Sequence, residues 1–160
     1  YRWAPQMGGG ALYDVGCYTV NAARLVFKAE PQEIRAVAHL ADQAGIDLTT
    51  SLLCNFPGSR QALLASSFEL EFQSSLEISG EAGRLYLNRV FSAKDFTTEI
   101  VLRQGEKLTS FNFPPADQYQ LMVEHFGQAI AGRVTPLVDF HDSFGNALVI
   151  EKALRLIQKK

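Results

Sequence analysis

Cysteine is scarce in this chain of 160 residues, which holds only Cys17 and Cys54. Two are too few for a disulfide scaffold or a zinc cluster, and the expectation is a pair of buried thiols in a reducing, cytoplasmic compartment. An excess of one charge is also missing. Lys and Arg number 15 against 17 Asp and Glu, a formal charge of −2 that excludes a chain-wide basic footprint for nucleic acid. No apolar run reaches the roughly 18 residues that a membrane span needs. The start, Tyr1-Arg2-Trp3-Ala4-Pro5, lacks both an initiator Met and the charged-then-apolar order of a signal peptide, so a fragment or processed product is expected. Without repeats, low-complexity tracts or linkers, residues 1–160 are expected to form a single domain. What remains is a 47% hydrophobic composition, that of a globular protein.

Three blocks follow one another. After the breaker Gly8-Gly9-Gly10, apolar or small residues at Leu12, Val15, Thr19, Ala22, Ala23 and Val26 predict an amphipathic helix over 11–27, stopped by Glu30-Pro31. The middle block alternates with period two. Strands are expected over 34–40, 48–56 and a long one over 62–72, then shorter ones at 75–79, 84–88, 98–103 and 107–111. Helices over 118–131 and 143–158 close the chain, with Asp139 or Asp142 as the cap of the last. The order predicts an α+β fold: an open, mainly antiparallel sheet of five to seven strands with helices packed on one face. The other face would carry Val37, His39, Thr49, Ser51, Leu53, Leu63, Ala65, Ser67, Tyr86 and Val101. That is too apolar for a solvated face and suits a second sheet, so self-association is expected, the alternative being cover by another segment.

The densest chemical signal is Gly8-Gly9-Gly10-Ala11-Leu12-Tyr13-Asp14-Val15-Gly16-Cys17-Tyr18. Asp14 and Tyr18, four apart on a helix, share a face. A carboxylate beside a phenol suits proton transfer at a substrate oxygen; the same spacing also fits a first-turn Asp near the helix dipole and a packed Tyr. A dinucleotide or P-loop glycine pattern is absent, as is a nucleophile elbow. His39, His125 and His141 are scattered without metal-ligand spacing, and no metal is expected.

The run from Arg2-Trp3 through Pro5 to Tyr18 resembles the glucose–fructose oxidoreductase/inositol dehydrogenase (Gfo/Idh/MocA) family, whose pattern is Gly-Gly-Gly-x-Leu-x-Asp-x-Gly followed two residues on by His or Tyr. Supporting matches are Asp47 opening a strand that ends Asn55-Phe56-Pro57-Gly58, the turn Ile78 to Gly83, Tyr119, Asp142-Ser143 and Ile150 to Leu154. Such proteins join an N-terminal Rossmann domain that binds NAD or NADP to a C-terminal domain that contacts substrate and dimerises through its sheet. The resemblance implies that residues 1–160 are the second of these and that the Rossmann domain lies outside the chain. It implies Tyr18 as the proton donor or acceptor, Asp14 as the residue that orients substrate, and Arg2 and Trp3 as substrate-binding. The parent would act on a secondary alcohol or carbonyl of a sugar, cyclitol or diol. The family's catalytic lysine, in a Glu-Lys-Pro motif, has no counterpart here, so no bound cofactor and no activity are expected of the chain alone. The alternatives are a non-catalytic binding or assembly module whose parent has lost activity, or a stand-alone ligand-binding domain.

Overall fold

A computed structural model describes residues 1–42, 45–91 and 94–158. The chain divides into two compact units, one made of Tyr1–Leu70 with the segment from Val138 onward, the other of Glu71–Leu137.

In the first unit a 3-10 turn, Pro5–Met7, leads to a π-helical turn, Leu12–Gly16, that runs directly into helix α1, Cys17–Phe27. Strands β1 (Glu33–Leu40), β2 (Asp47–Phe56) and β3 (Arg60–Ser67) follow as an antiparallel sheet in that order, and the unit closes with the last helix of the chain, Phe140–Gln158. Period-two alternation sends Ile34, Ala36, Ala38, Leu52, Cys54, Phe56, Ala62 and Leu64 toward the two helices. They meet Leu12, Val20 and Ala23 from the first helical segment and Val149, Ile150, Ala153 and Ile157 from the last. Each large aliphatic side chain buried there contributes about 1.5–3 kcal/mol. On the opposite face Val37 and Leu63 are exposed, whereas Tyr86 and Val101, expected on that face, lie in the chain's other sheet.

Two expectations change here. The strand expected to reach Phe72 ends at Ser67, because the Ser67 hydroxyl accepts the N–H groups of Glu69 and Leu70 at 3.0 and 3.3 Å and turns the backbone out of the ladder. The helical stripe is also displaced: Val20 and Arg24 are buried where Thr19 and Val26 were expected. The π-helical turn takes in an extra residue, so every position after it rotates by about one residue around the axis.

The second unit is an antiparallel meander of β4 (Ser75–Gly80), β5 (Gly83–Asn88), β6 (Thr98–Gln104) and β7 (Lys107–Phe113), followed by helix α2 (Gln118–Ile130). Asp117 caps α2 by accepting from Tyr119 N and Gln120 N. The last helix is α3; it starts three residues earlier than expected, where Asp139 Oδ1 accepts the Asp142 N–H at 2.8 Å. All seven expected strands are present among the described residues, as sheets of three and four rather than one. Among those residues no helix is long and apolar enough to cross a membrane.

Candidate active site

The first ten residues fold back on themselves. Gly9 N donates to Ala4 O at 3.0 Å and Gly10 N to Arg2 O at 2.9 Å. A side chain at Gly9 would stand 2.7 Å from Arg2 O and 2.8 Å from Ala4 O, so only glycine allows this closure. Gly10 has φ +114, and a Cβ there would overlap the Asp47 carboxylate. Asp47, 2% exposed at the start of β2, accepts the Leu12 N–H and the Thr50 hydroxyl, each at 2.7 Å. The carboxylate thus ties the start of the π-helical turn to the sheet.

Closure of the loop delivers two side chains to Asp14. The Tyr1 hydroxyl donates to Asp14 Oδ1 at 3.0 Å, and Arg2 Nε stands 2.9 Å from Oδ2. The Asp14 side chain is 9% exposed, whereas Arg2 remains 58% exposed. The hydrogen bond with Tyr1 and then the charge of Asp14 push the Arg2 guanidinium above its ordinary value. Trp3 is exposed on the same loop, its ring 5.9 Å from that of Phe68 and tilted against it. Tyr18 lies in the first turn of α1 and is half exposed. Gly16, between Asp14 and Tyr18, brings the helical segment onto β3: a Cβ there would meet Ser66 Oγ at 2.8 Å.

Of the four residues expected at the site, the fold therefore joins Arg2 to Asp14 as an ion pair, sets Trp3 beside Phe68, and leaves Tyr18 with an exposed phenol. Tyr1 was not anticipated, since nothing in its spacing from Asp14 signals a contact across 13 positions. Also unanticipated is Arg24, 6% exposed, which donates to Glu30 at 2.6 Å and to Asp142 at 2.9 Å. Gly145, within α3, was a usable signal: its missing side chain leaves the space that the Arg24 guanidinium fills.

The glycine loop is not a phosphate cradle. The Leu12 N–H that would face an anion is taken by Asp47, whose second oxygen stands over Gly10 and would repel a phosphate. A cleft under this loop, lined in part by Gly8, Gly9, Tyr13 and Asp47, holds about 80 Å³. Pockets for small ligands run to roughly 300 Å³ and above. Burial pushes the Cys54 thiol up to about 11 and raises that of the half-buried Cys17, so neither favours a thiolate near neutral pH. Among the described residues no group of three or more His, Cys, Asp or Glu is arranged to hold a metal.

The family model of the GFO/IDH/MocA C-terminal domain matches residues 1–86. The chain belongs to the Gfo/Idh/MocA family. Within that family it is 38% identical over 159 residues to an uncharacterized oxidoreductase, ORF334, of Rhizobium meliloti, covering 96% of this chain and 48% of that protein. It is 30% identical over 143 residues to D-xylose 1-dehydrogenase (NADP(+)) 2 of Haloferax volcanii, covering 89% of this chain and 44% of that one. The fold of a Gfo/Idh/MocA C-terminal domain is matched in the solved structure of KijD10, a 3-ketoreductase from Actinomadura kijaniata in complex with NADP and TDP-benzene. There the TM-score is 0.88 at 25% identity, over 98% of this chain and 48% of KijD10. The chain thus spans about half the length of the curated relatives it matches.

Proposed function

We propose that residues 1–160 are the C-terminal, substrate-side domain of an NAD(P)-dependent oxidoreductase acting on a secondary alcohol or carbonyl of a sugar, cyclitol or diol. The observation that carries this reading is the placement of Asp14: a nearly buried carboxylate held from two sides by Tyr1 and Arg2, one helical turn before the exposed phenol of Tyr18. Tyr18 is the group that passes a proton to or from the substrate oxygen, its phenol being both donor and acceptor. Asp14, fixed and acceptor-only while ionised, orients a substrate hydroxyl rather than shuttling a proton. Arg2 acts through Asp14 as a positioning residue, since its Nε is committed to that carboxylate. Trp3 offers a flat apolar face, suited to the C–H face of a sugar ring.

Several named relatives favour this substrate class. They include a D-xylose dehydrogenase, dTDP-3,4-didehydro-2,6-dideoxy-alpha-D-glucose 3-reductases and trans-1,2-dihydrobenzene-1,2-diol dehydrogenases. NAD or NADP is the cofactor of the parent enzyme, and the glycine-rich turn ahead of Leu12, closed by Asp47, is not its phosphate site. Two unpaired cysteines and a dinucleotide cofactor suit the reducing cytoplasm. Self-association through the outer face of β1–β3 completes the reading.

The test is kinetic. In the full-length parent, Tyr18→Phe is expected to lower kcat by about 10²–10⁴-fold in NAD(P)-linked turnover of a sugar and diol panel, with a much smaller effect on KM. An unchanged kcat removes Tyr18 from the mechanism. Turnover by the 160-residue chain alone would overturn its assignment as the substrate half of the site.

A further inference from the structure

Trp3 is a large ring held in one place with most of its surface open. Turn bonds from Ala4 N to Tyr1 O at 3.0 Å and from Gly10 N to Arg2 O at 2.9 Å fix the backbone around it. Its ring lies 5.9 Å from that of Phe68, tilted by 47°, yet the residue is 63% exposed. Burial does not account for such a ring, and a fixed, open aromatic face is surface available to a ligand. Its neighbour Arg2 stands 2.9 Å from Asp14 Oδ2, which keeps Trp3 beside that carboxylate.

Phe68 is placed by the sheet. Its N–H donates to Leu48 O at 2.8 Å, which carries the pairing of β2 with β3 one residue beyond Ser67. The period of two sets Phe68 on the face of Ser66, about 6–7 Å along the strand. Ser66 Oγ in turn is 2.8 Å from where a Gly16 side chain would stand, between Asp14 and Tyr18. The Ser67 hydroxyl accepts the N–H groups of Glu69 and Leu70, so the chain turns away directly after Phe68 and leaves its half-buried ring at the end of the strand.

We infer that Phe68 is a positioning residue that sets substrate specificity: it fixes the tilt of Trp3, and the two rings form an apolar wall that favours cyclic substrates over open-chain ones. The inference deepens the proposed function and rests on it. A pyranose or a cyclic diol lays one face of C–H groups on such a wall while a hydroxyl reaches Asp14 and Tyr18. An open-chain polyol has no such face ready and loses rotamer freedom in making one. Neither ring titrates near neutral pH, so their effect falls on binding and not on the chemical step.

Steady-state kinetics of the full-length parent test this. D-xylose and a vicinal cyclohexanediol serve as ring compounds, xylitol and a vicinal butanediol as their open-chain counterparts. Phe68→Leu keeps apolar bulk and removes the ring; it is expected to raise KM for ring compounds about tenfold, with kcat within about twofold and open-chain KM unmoved. Trp3→Leu does at least as much, and the double variant no more than Trp3→Leu alone, because Phe68 acts through Trp3. Phe68→Tyr restores the low KM. Trp3 is the chain's only tryptophan, so its emission in the 160-residue chain reports the ring pair, moving to the red in Phe68→Leu and not in Phe68→Tyr. An emission that does not move overturns the inference. A shifted emission with an unchanged KM makes Phe68 only an anchor of the loop and overturns it as well. So does a KM that rises equally for ring and open-chain compounds, or a double variant whose loss is the product of the two singles. A parent that turns over none of the panel, or whose kcat ignores Tyr18→Phe, removes the proposed function and this inference with it. Dependence on Tyr18 with a KM indifferent to both rings removes this inference alone.

Discussion

Gly10 shows how much of the site hangs on single atoms. Its positive φ and the Asp47 carboxylate lying over it leave no place for a methyl group. Adding one strains the backbone and displaces the acceptor of the Leu12 N–H, leaving a buried donor without its partner. Gly10→Ala is expected to destabilise the chain by about 2–4 kcal/mol, read as a lower urea midpoint with an unchanged slope. At this scale the glycine run was legible, since three consecutive glycines announce a turn or a close approach. Which atom approached was not. Asp47 lies 35 positions from Leu12, and nothing local in either stretch points to the other.

At the scale of elements, the period-two pattern placed the strands and the cap residues placed the helices, because both arise from neighbours in the chain. The errors came where a side chain overrode the local pattern. Ser67 ended β3 early, and the π-helical turn shifted the buried stripe of α1 onto Val20 and Arg24. Neither has a hydrophobic signature, so periodicity could not reveal them. Helix α2 is the opposite case, well predicted in extent yet without a buried residue. Its N-terminus is held by side chains. There Asp117 accepts two amides and pairs with Lys94 at 3.0 Å, and that bond with Lys94 holds its carboxyl below the usual range. Asp117→Ala is expected to cost about 1 kcal/mol, visible as faster hydrogen exchange at the Tyr119 and Gln120 amides while β1–β3 exchange is unchanged.

Across the whole chain, Arg24 is one of the ties that bring the beginning and the end together, beside Asn21 on Asp142 and Asn146 on the Cys17 carbonyl. It joins α1 to Asp142 of α3, 118 positions away, and to Glu30 in the connection to β1. The Glu30 carboxyl is lowered, first by the hydrogen bond from Arg24. A carboxylate lowered in the folded state contributes stability that is fully present above its unfolded range, near 4, and is lost as pH falls through the lower folded value. The stability gap between wild type and Glu30→Gln should therefore be full at about pH 6 and close as pH drops below about 4, measured by urea unfolding across that range. A gap that stays constant down to acid pH would remove the Arg24–Glu30 bond as its cause.

Taken by itself, the sequence determined the class of fold, the extent of most elements, the glycine-led run with Asp14 and Tyr18, and the family to which they belong. These follow from short-range causes: backbone freedom at glycine, the two side-chain periodicities, and residue types held at fixed spacing. Only the tertiary structure decided what those residues touch. It set Tyr1 and Arg2 on Asp14, Asp47 beneath the helix start, Arg24 between two carboxylates, and His39 against Glu69. Each of these contacts is a polar bond, side chain to side chain or side chain to backbone, between groups brought near by folding. A pattern read along the chain carries no record of which donor will meet which acceptor once the sheet and helices have packed.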